Sequence, residues 1–196
     1  MKLVPAAPSR IVLWPAAVAV AVPGFHILVR ASPFGPNFLY VMLGMPGLAL
    51  AWVVGAIWGT VRLVAAARAG AWRAALAHLV LPVAVLAAAS QPFATMRWLN
   101  SLGDRIHFEI MRPTYLAEVE AMRDTGEPKL ALFNWGGMVW ASYGVVYDAS
   151  DEIALPRGQQ SAAWRRRADH SELACNEYGY GFEPIREHFY FAGFGC

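Results

Sequence analysis

The chain has 196 residues, 57% of them hydrophobic, with 16 basic and 14 acidic side chains and only two cysteines. All 14 acids lie at or after Asp104, while residues 1–96 carry six basic residues and no acid. That split excludes reading the pI near 8.7 as affinity for nucleic acid, and the long uncharged runs exclude an ordinary soluble domain for the first half.

The first apolar run, Ile11 to Val29, covers 19 uncharged residues between Arg10 and Arg30 and contains Pro15, Pro23 and His26. Prolines are tolerated in membrane helices. Lys2 and Arg10 ahead of it, with Ala17-Val18-Ala19 inside it, also fit a cleaved signal peptide; the retained helix is the reading adopted. The second run, Ala31 to Val61, holds 31 residues without a charge, and the third, Ala74 to Met96, holds 23. At about 1.5 Å of rise per residue, each can cross a hydrocarbon core of roughly 30 Å.

Arg62, Arg68 and Arg73 separate the second and third runs with no acid beside them, whereas the connection between the first and second holds only Arg30. The positive-inside tendency then puts the N-terminus and the arginine loop in the cytoplasm. Three crossings deliver the second half to the periplasmic or extracellular side, with a bacterial inner membrane as the expected location. The expected organisation is a three-helix anchor over residues 1–96 and an exported domain over residues 97–196.

Within the second run, Gly47, Ala51, Gly55 and Gly59 recur at every fourth position and predict a smooth helix-packing face. His26 and His78 are the two histidines at membrane depth. Their predicted positions, near opposite ends of their helices, argue against a shared haem.

The exported half carries 10 basic and 14 acidic residues, a net charge of −4. Residues 92–101 read as an exit from the third helix. Leu102 to Met111 is open between a strand, with Ile106, Phe108 and Ile110 inward, and a helix burying Leu102, Ile106 and Ile110. Pro113 then suits the first turn of a helix over Thr114–Arg123. Leu130–Phe133 and Met138–Tyr147 predict a hairpin turning at Gly136-Gly137, followed by an extended edge over Glu152–Leu155. A short helix is expected over Gln159–Ala168, capped by Ser161 or by the preceding turn, a weak strand over Leu173–Tyr178, and a last strand over His188–Phe194. Together these predict a small α+β domain with an antiparallel sheet. Cys175 and Cys196 both fall in this exported half, where a disulfide between them is expected.

Chemistry is sparse. His107-x-Glu109, His170-x-Glu172 and Glu187-His188 lack the helical His-Glu-x-x-His spacing of a zinc site. Asp148, Asp151 and Glu152 lack the spacing and glycine of a calcium loop and read as a solvated acidic turn. No serine sits in a Gly-x-Ser-x-Gly setting, and no glycine-rich loop leads a strand into a helix. Neither a catalytic residue, a metal set nor a cofactor is therefore predicted. Trp135, Trp140, Tyr178, Tyr180 and Phe182, crowded around turns, are the candidate protein-binding residues.

In architecture alone, a few short helices followed by a small exported α+β domain resembles accessory subunits of bacterial membrane complexes. It also resembles inner-membrane immunity proteins against exported toxins. The expectation is a non-catalytic membrane protein whose partners are the lipid bilayer and another membrane or exported protein, most simply as an accessory subunit. Immunity or inhibition is the alternative, and a membrane-anchored enzyme with an acidic or metal-dependent site stands outside both.

Overall fold

The computed structural model describes residues 13–32, 39–138, 141–171, 173 and 182–194. The chain forms two compact units. The first takes the described residues up to Arg30 and those from Leu39 to Gly103; the second takes Ala31, Ser32 and the described residues from Asp104 onward.

Three helices of the first unit are long and apolar enough to cross a membrane. Helix α1 spans Trp14–Ala31, α2 Met45–Arg68 and α3 Trp72–Ser90. A π-helical turn over Tyr40–Gly44 leads into α2, so that Tyr40–Arg68 forms a continuous helical stretch of 29 residues. The second helix thus starts later and ends later than its uncharged run, and Arg62 and Arg68 are helical. The third ends earlier than expected because Pro92 bars its predecessor from the helical region. Gln91 accordingly turns out to φ −140° and ψ 64°.

Helix α4, Pro92–Ala121, is 30 residues long and corrects the expected exit segment, possible strand and short helix in one stroke. Its inward residues follow helical spacing. In the first unit they are Leu99 and Gly103; in the second, His107, Phe108, Tyr115 and Val119. Ile106 and Ile110, expected inward on either reading, are instead exposed. Pro113 sits inside this helix, where it removes a backbone donor; the buried aromatic residues on either side of it offset that cost.

The second unit also holds a four-stranded antiparallel sheet in the order β1-β2-β4-β3. Its strands are β1 Leu130–Met138, β2 Ala141–Asp148, β3 Phe182–Arg186 and β4 Phe189–Phe194. Alternation of side chains gives the sheet two buried faces. Val145, Phe189, Phe133 and Phe191 meet Phe108 and Tyr115 of α4 on one face. Val146, Tyr190 and Ala192 meet Ile153, Trp164 and Ala168 on the other. Ile153 lies in a 3-10 turn over Glu152–Ala154, which replaces the expected extended edge, and the last two belong to helix α5, Ala162–Asp169. Ser161 caps α5 by accepting from the Trp164 amide at 3.0 Å.

Gly136-Gly137 does not make the hairpin turn. The register of β1 on β2 shifts between Asn134 and Gly137, and Gly136 has φ 97°. The Asn134 side chain accepts from the Gly136 amide at 2.7 Å, making this a bulge on the edge strand. Gly144, opposite, is needed for close approach: a Cβ there would stand 2.2 Å from the Phe133 carbonyl oxygen. The expected strand over Leu173–Tyr178 lies, apart from Leu173, outside the described residues.

Candidate functional site

The acidic turn after β2 is the densest polar constellation in the second unit. Asp148 is completely buried. Its Oδ1 accepts from the Ser150 amide at 3.0 Å and the Ser150 hydroxyl at 2.6 Å. Its Oδ2 accepts from the Ile153 amide and from Trp164 Nε1, both at 2.8 Å. Four donors fill the lone-pair sites of the carboxylate, and they come from the turn, the 3-10 segment and α5. Asp148 is a structural hub joining these elements to the end of the sheet.

Asp151 and Glu152 are engaged next to it. Asp151 adopts φ 55°, which aspartate tolerates better than most side chains. It accepts from the Tyr190 hydroxyl at 2.7 Å and stands 3.1 Å from His188 Nδ1. The Tyr190 hydrogen bond, with the His188 contact adding to it, holds the Asp151 carboxyl below its ordinary range. Burial, then the hydrogen bond and charge of Asp151, push the Tyr190 hydroxyl up. Glu152 accepts from the Ser161 amide and, at 3.1 Å, from the Ser161 hydroxyl, so it braces the residue that caps α5.

The histidine pairs do not converge. His107 is buried, its Nδ1 lies 3.0 Å from the Ser32 carbonyl oxygen, and its ring meets Trp135 edge-on at 4.4 Å. Glu109 points outward to Arg186 at 2.9 Å. His170 is the C-cap of α5, and Glu172 lies outside the described residues. Among the described residues no three His, Cys, Asp or Glu side chains are grouped to hold a metal ion.

Of the aromatic candidates, Trp135 is half-buried. Its Nε1 donates to the Tyr115 hydroxyl at 2.7 Å, and its ring packs against Phe191 and Tyr143. Burial pushes the Tyr115 hydroxyl up, with the Trp135 bond partly opposing it. Phe182 packs against the core cluster around Val146 and Tyr190. Trp140, Tyr178 and Tyr180, like Cys175 and Cys196, lie outside the described residues.

Two of the outward apolar residues described in this unit are ones that sequence periodicity turns inward. Ile106 is 39% and Ile110 58% exposed on one face of α4. Beside them Arg105 reaches Glu183 and Glu109 reaches Arg186, both at 2.9 Å, so charged bridges to β3 flank an aliphatic strip. The signal was obscured because the inward row of α4 includes Gly103 and His107, which do not score as core.

In the first unit, His26 is buried with both ring nitrogens engaged: Nδ1 is 2.7 Å from the Tyr40 hydroxyl, and Nε2 is 2.8 Å from Asn100 Oδ1. Gly44 makes room for the Tyr40 ring, since a Cβ there would lie 2.6 Å from Tyr40 Cδ2. His78 is 7% exposed, lies near the Trp14 ring and leaves its Nδ1 without a hydrogen-bond partner. The small-residue face divides. A Cβ on Gly55 would stand 3.0 Å from Leu81 Cδ2, and one on Gly59 would stand 3.3 Å from the His78 carbonyl oxygen and from Pro82 Cδ. Gly47 has nothing within 4 Å, and Ala51 is exposed.

Comparison with protein-family models, curated proteins and solved structures finds no match.

Proposed function

We propose that this chain is a three-crossing protein of the bacterial inner membrane whose second unit, on the periplasmic side, binds a protein partner without catalysing a reaction. Its role is that of an accessory subunit in a membrane complex. The membrane part of this reading is supported by aliphatic side chains directed outward on all three helices, among them Val20 at 70%, Leu50 at 64% and Leu86 at 69% exposure. In water such a surface is costly; in lipid it is the expected one. The exposed Arg62, Arg68 and Arg73 around the α2–α3 turn favour the cytoplasm for that turn. A Cys175–Cys196 disulfide belongs to the same reading, because the opposite face is the oxidising one.

The single observation carrying the binding role is the exposed Ile106–Ile110 strip with the two ion pairs along one of its edges. The commitment of Asp148 and Glu152 to internal hydrogen bonds favours binding over acid–base chemistry. The test is affinity purification in mild detergent from the native cell, comparing the unaltered chain with I106S/I110S. A stoichiometric membrane partner, lost in the variant while its thermal midpoint is kept, is the expected result. Recovery of a lone monomer with a measurable turnover that Asp151→Asn abolishes would refute the proposal.

A further inference from the structure

We propose that the α2–α3 turn is a binding site for the headgroup of an anionic phospholipid, with one acyl chain lying along α2; this rests on the membrane reading above. Arg68 closes the last turn of α2 and Arg73 opens α3, on either side of the short turn containing Gly70. Both are exposed, neither forms an ion pair among the described residues, and residues 1–96 hold no acid to supply one. Two uncompensated guanidinium groups favour a headgroup of net negative charge, because a zwitterionic lipid brings its own cation. Arginine also matches phosphate oxygens with paired donors.

The surface next to them has the matching polarity. The exposed face of α2 formed by Thr60, Val61, Val64 and Ala65 leads along the helix to Arg68. Its one hydroxyl, on Thr60, is turned back onto the Ala56 carbonyl at 2.9 Å. This face is thus aliphatic along the helix and cationic at its end, the order in which a phospholipid presents chain and phosphate. The Arg62 guanidinium lies 5.2 Å above the exposed Trp58 ring, and Trp72 is exposed at the start of α3. Tryptophan and arginine in such pairs favour the headgroup level of a bilayer, and basic clusters at cytoplasmic helix ends recruit anionic lipid.

The experiment uses the purified full chain. Its thermal midpoint is compared in phosphatidylcholine vesicles and in phosphatidylcholine vesicles containing phosphatidylglycerol, for the unaltered protein, R68Q/R73Q and, as a control, R165Q/R166Q, which alters two exposed arginines of α5. Phosphatidylglycerol is expected to raise the midpoint by several degrees in the unaltered protein and the control. R68Q/R73Q is expected to lose that rise while keeping its midpoint in phosphatidylcholine. Should R68Q/R73Q fail to fold, native mass spectrometry of the unaltered chain with equal amounts of the two lipids decides, and preferential retention of phosphatidylglycerol is expected. Equal midpoints in the two vesicles, a rise that survives in R68Q/R73Q, or equal lipid retention would each overturn the site. A chain that stays in carbonate-washed membranes yet shows no lipid preference refutes this inference alone. Release by carbonate refutes the membrane reading and the inference together.

Discussion

The two units satisfy their buried polar groups in different ways. In the first, aliphatic side chains face outward and a buried imidazole, His26, ties the π-helical turn at Tyr40 to Asn100 of α4. In the second, aromatic and aliphatic side chains fill both faces of the sheet, and a buried carboxylate, Asp148, gathers four donors from three neighbouring segments. Each unit is keyed by one buried polar side chain with its hydrogen-bonding capacity used up. The difference lies in the groups: in the second unit a carboxyl accepts from converging donors, whereas in the first an imidazole is shared between a hydroxyl and a side-chain amide oxygen.

Replacing Asp148 should have the largest effect. Asp148→Ala leaves the Ile153 amide and Trp164 Nε1 buried without an acceptor, and a loss of about 3 kcal/mol is expected. Denaturant unfolding of the full chain in detergent measures it. A loss below about 1 kcal/mol would remove Asp148 from its place as the key of the second unit. In the first unit, Gly59→Leu forces a side chain against the His78 carbonyl and Pro82, at an expected cost of about 2 kcal/mol in folded protein recovered. Gly47→Leu, made in open space on the same helix, should leave recovery unchanged. Equal behaviour of the two would dissolve the distinction between the packed and open halves of the small-residue face.

His26→Leu tests the other hub. It removes two hydrogen bonds, yet the Tyr40 and Asn100 side chains can find other partners when the helices separate, so a loss of about 1 kcal/mol is expected. Thermal unfolding in detergent reads this, and a loss as large as that of Asp148→Ala would mean the two hubs are not different in kind. The smallest effect concerns pH. The lowered pKa of Asp151 means that its contribution is present at neutral pH and is lost as pH falls through that lowered value. The raised Tyr190 hydroxyl contributes below the ordinary phenol range and loses its contribution as pH rises through the raised value. Asp151→Asn should therefore flatten the acid limb of a midpoint-against-pH curve without altering the limb set by other carboxylates. An unchanged curve would show that the Asp151–Tyr190 bond is not formed in solution.

Much of this contrast was legible in the sequence because it rests on composition over long windows. The three apolar helices follow from charge-free runs, and the last strand and the short helix around Trp164 follow from local chemistry. What was not legible depends on partners distant in sequence. Helix α4 was hidden because its inward row uses Gly103 and His107, and because Pro113 reads as a beginning. The Gly136 bulge reads as a turn in the sequence because glycine pairs mark both. The role of Asp148 was unreadable, since an acidic cluster in a loop looks the same whether it faces water or receives Trp164 Nε1 from 16 residues away. The partners of His26 lie 14 and 74 residues off, and no periodicity joins them.

On the proposed reading the first unit crosses the membrane three times and delivers the second to the far side. The most direct test places paired reporters, one active only in the cytoplasm and one only in the periplasm, after Ala66 and after Ser150. Cytoplasmic activity at Ala66 and periplasmic activity at Ser150 are expected from the arginines of the α2–α3 turn. Cytoplasmic activity at Ser150 would contradict the topology and remove the oxidising compartment on which the Cys175–Cys196 disulfide depends.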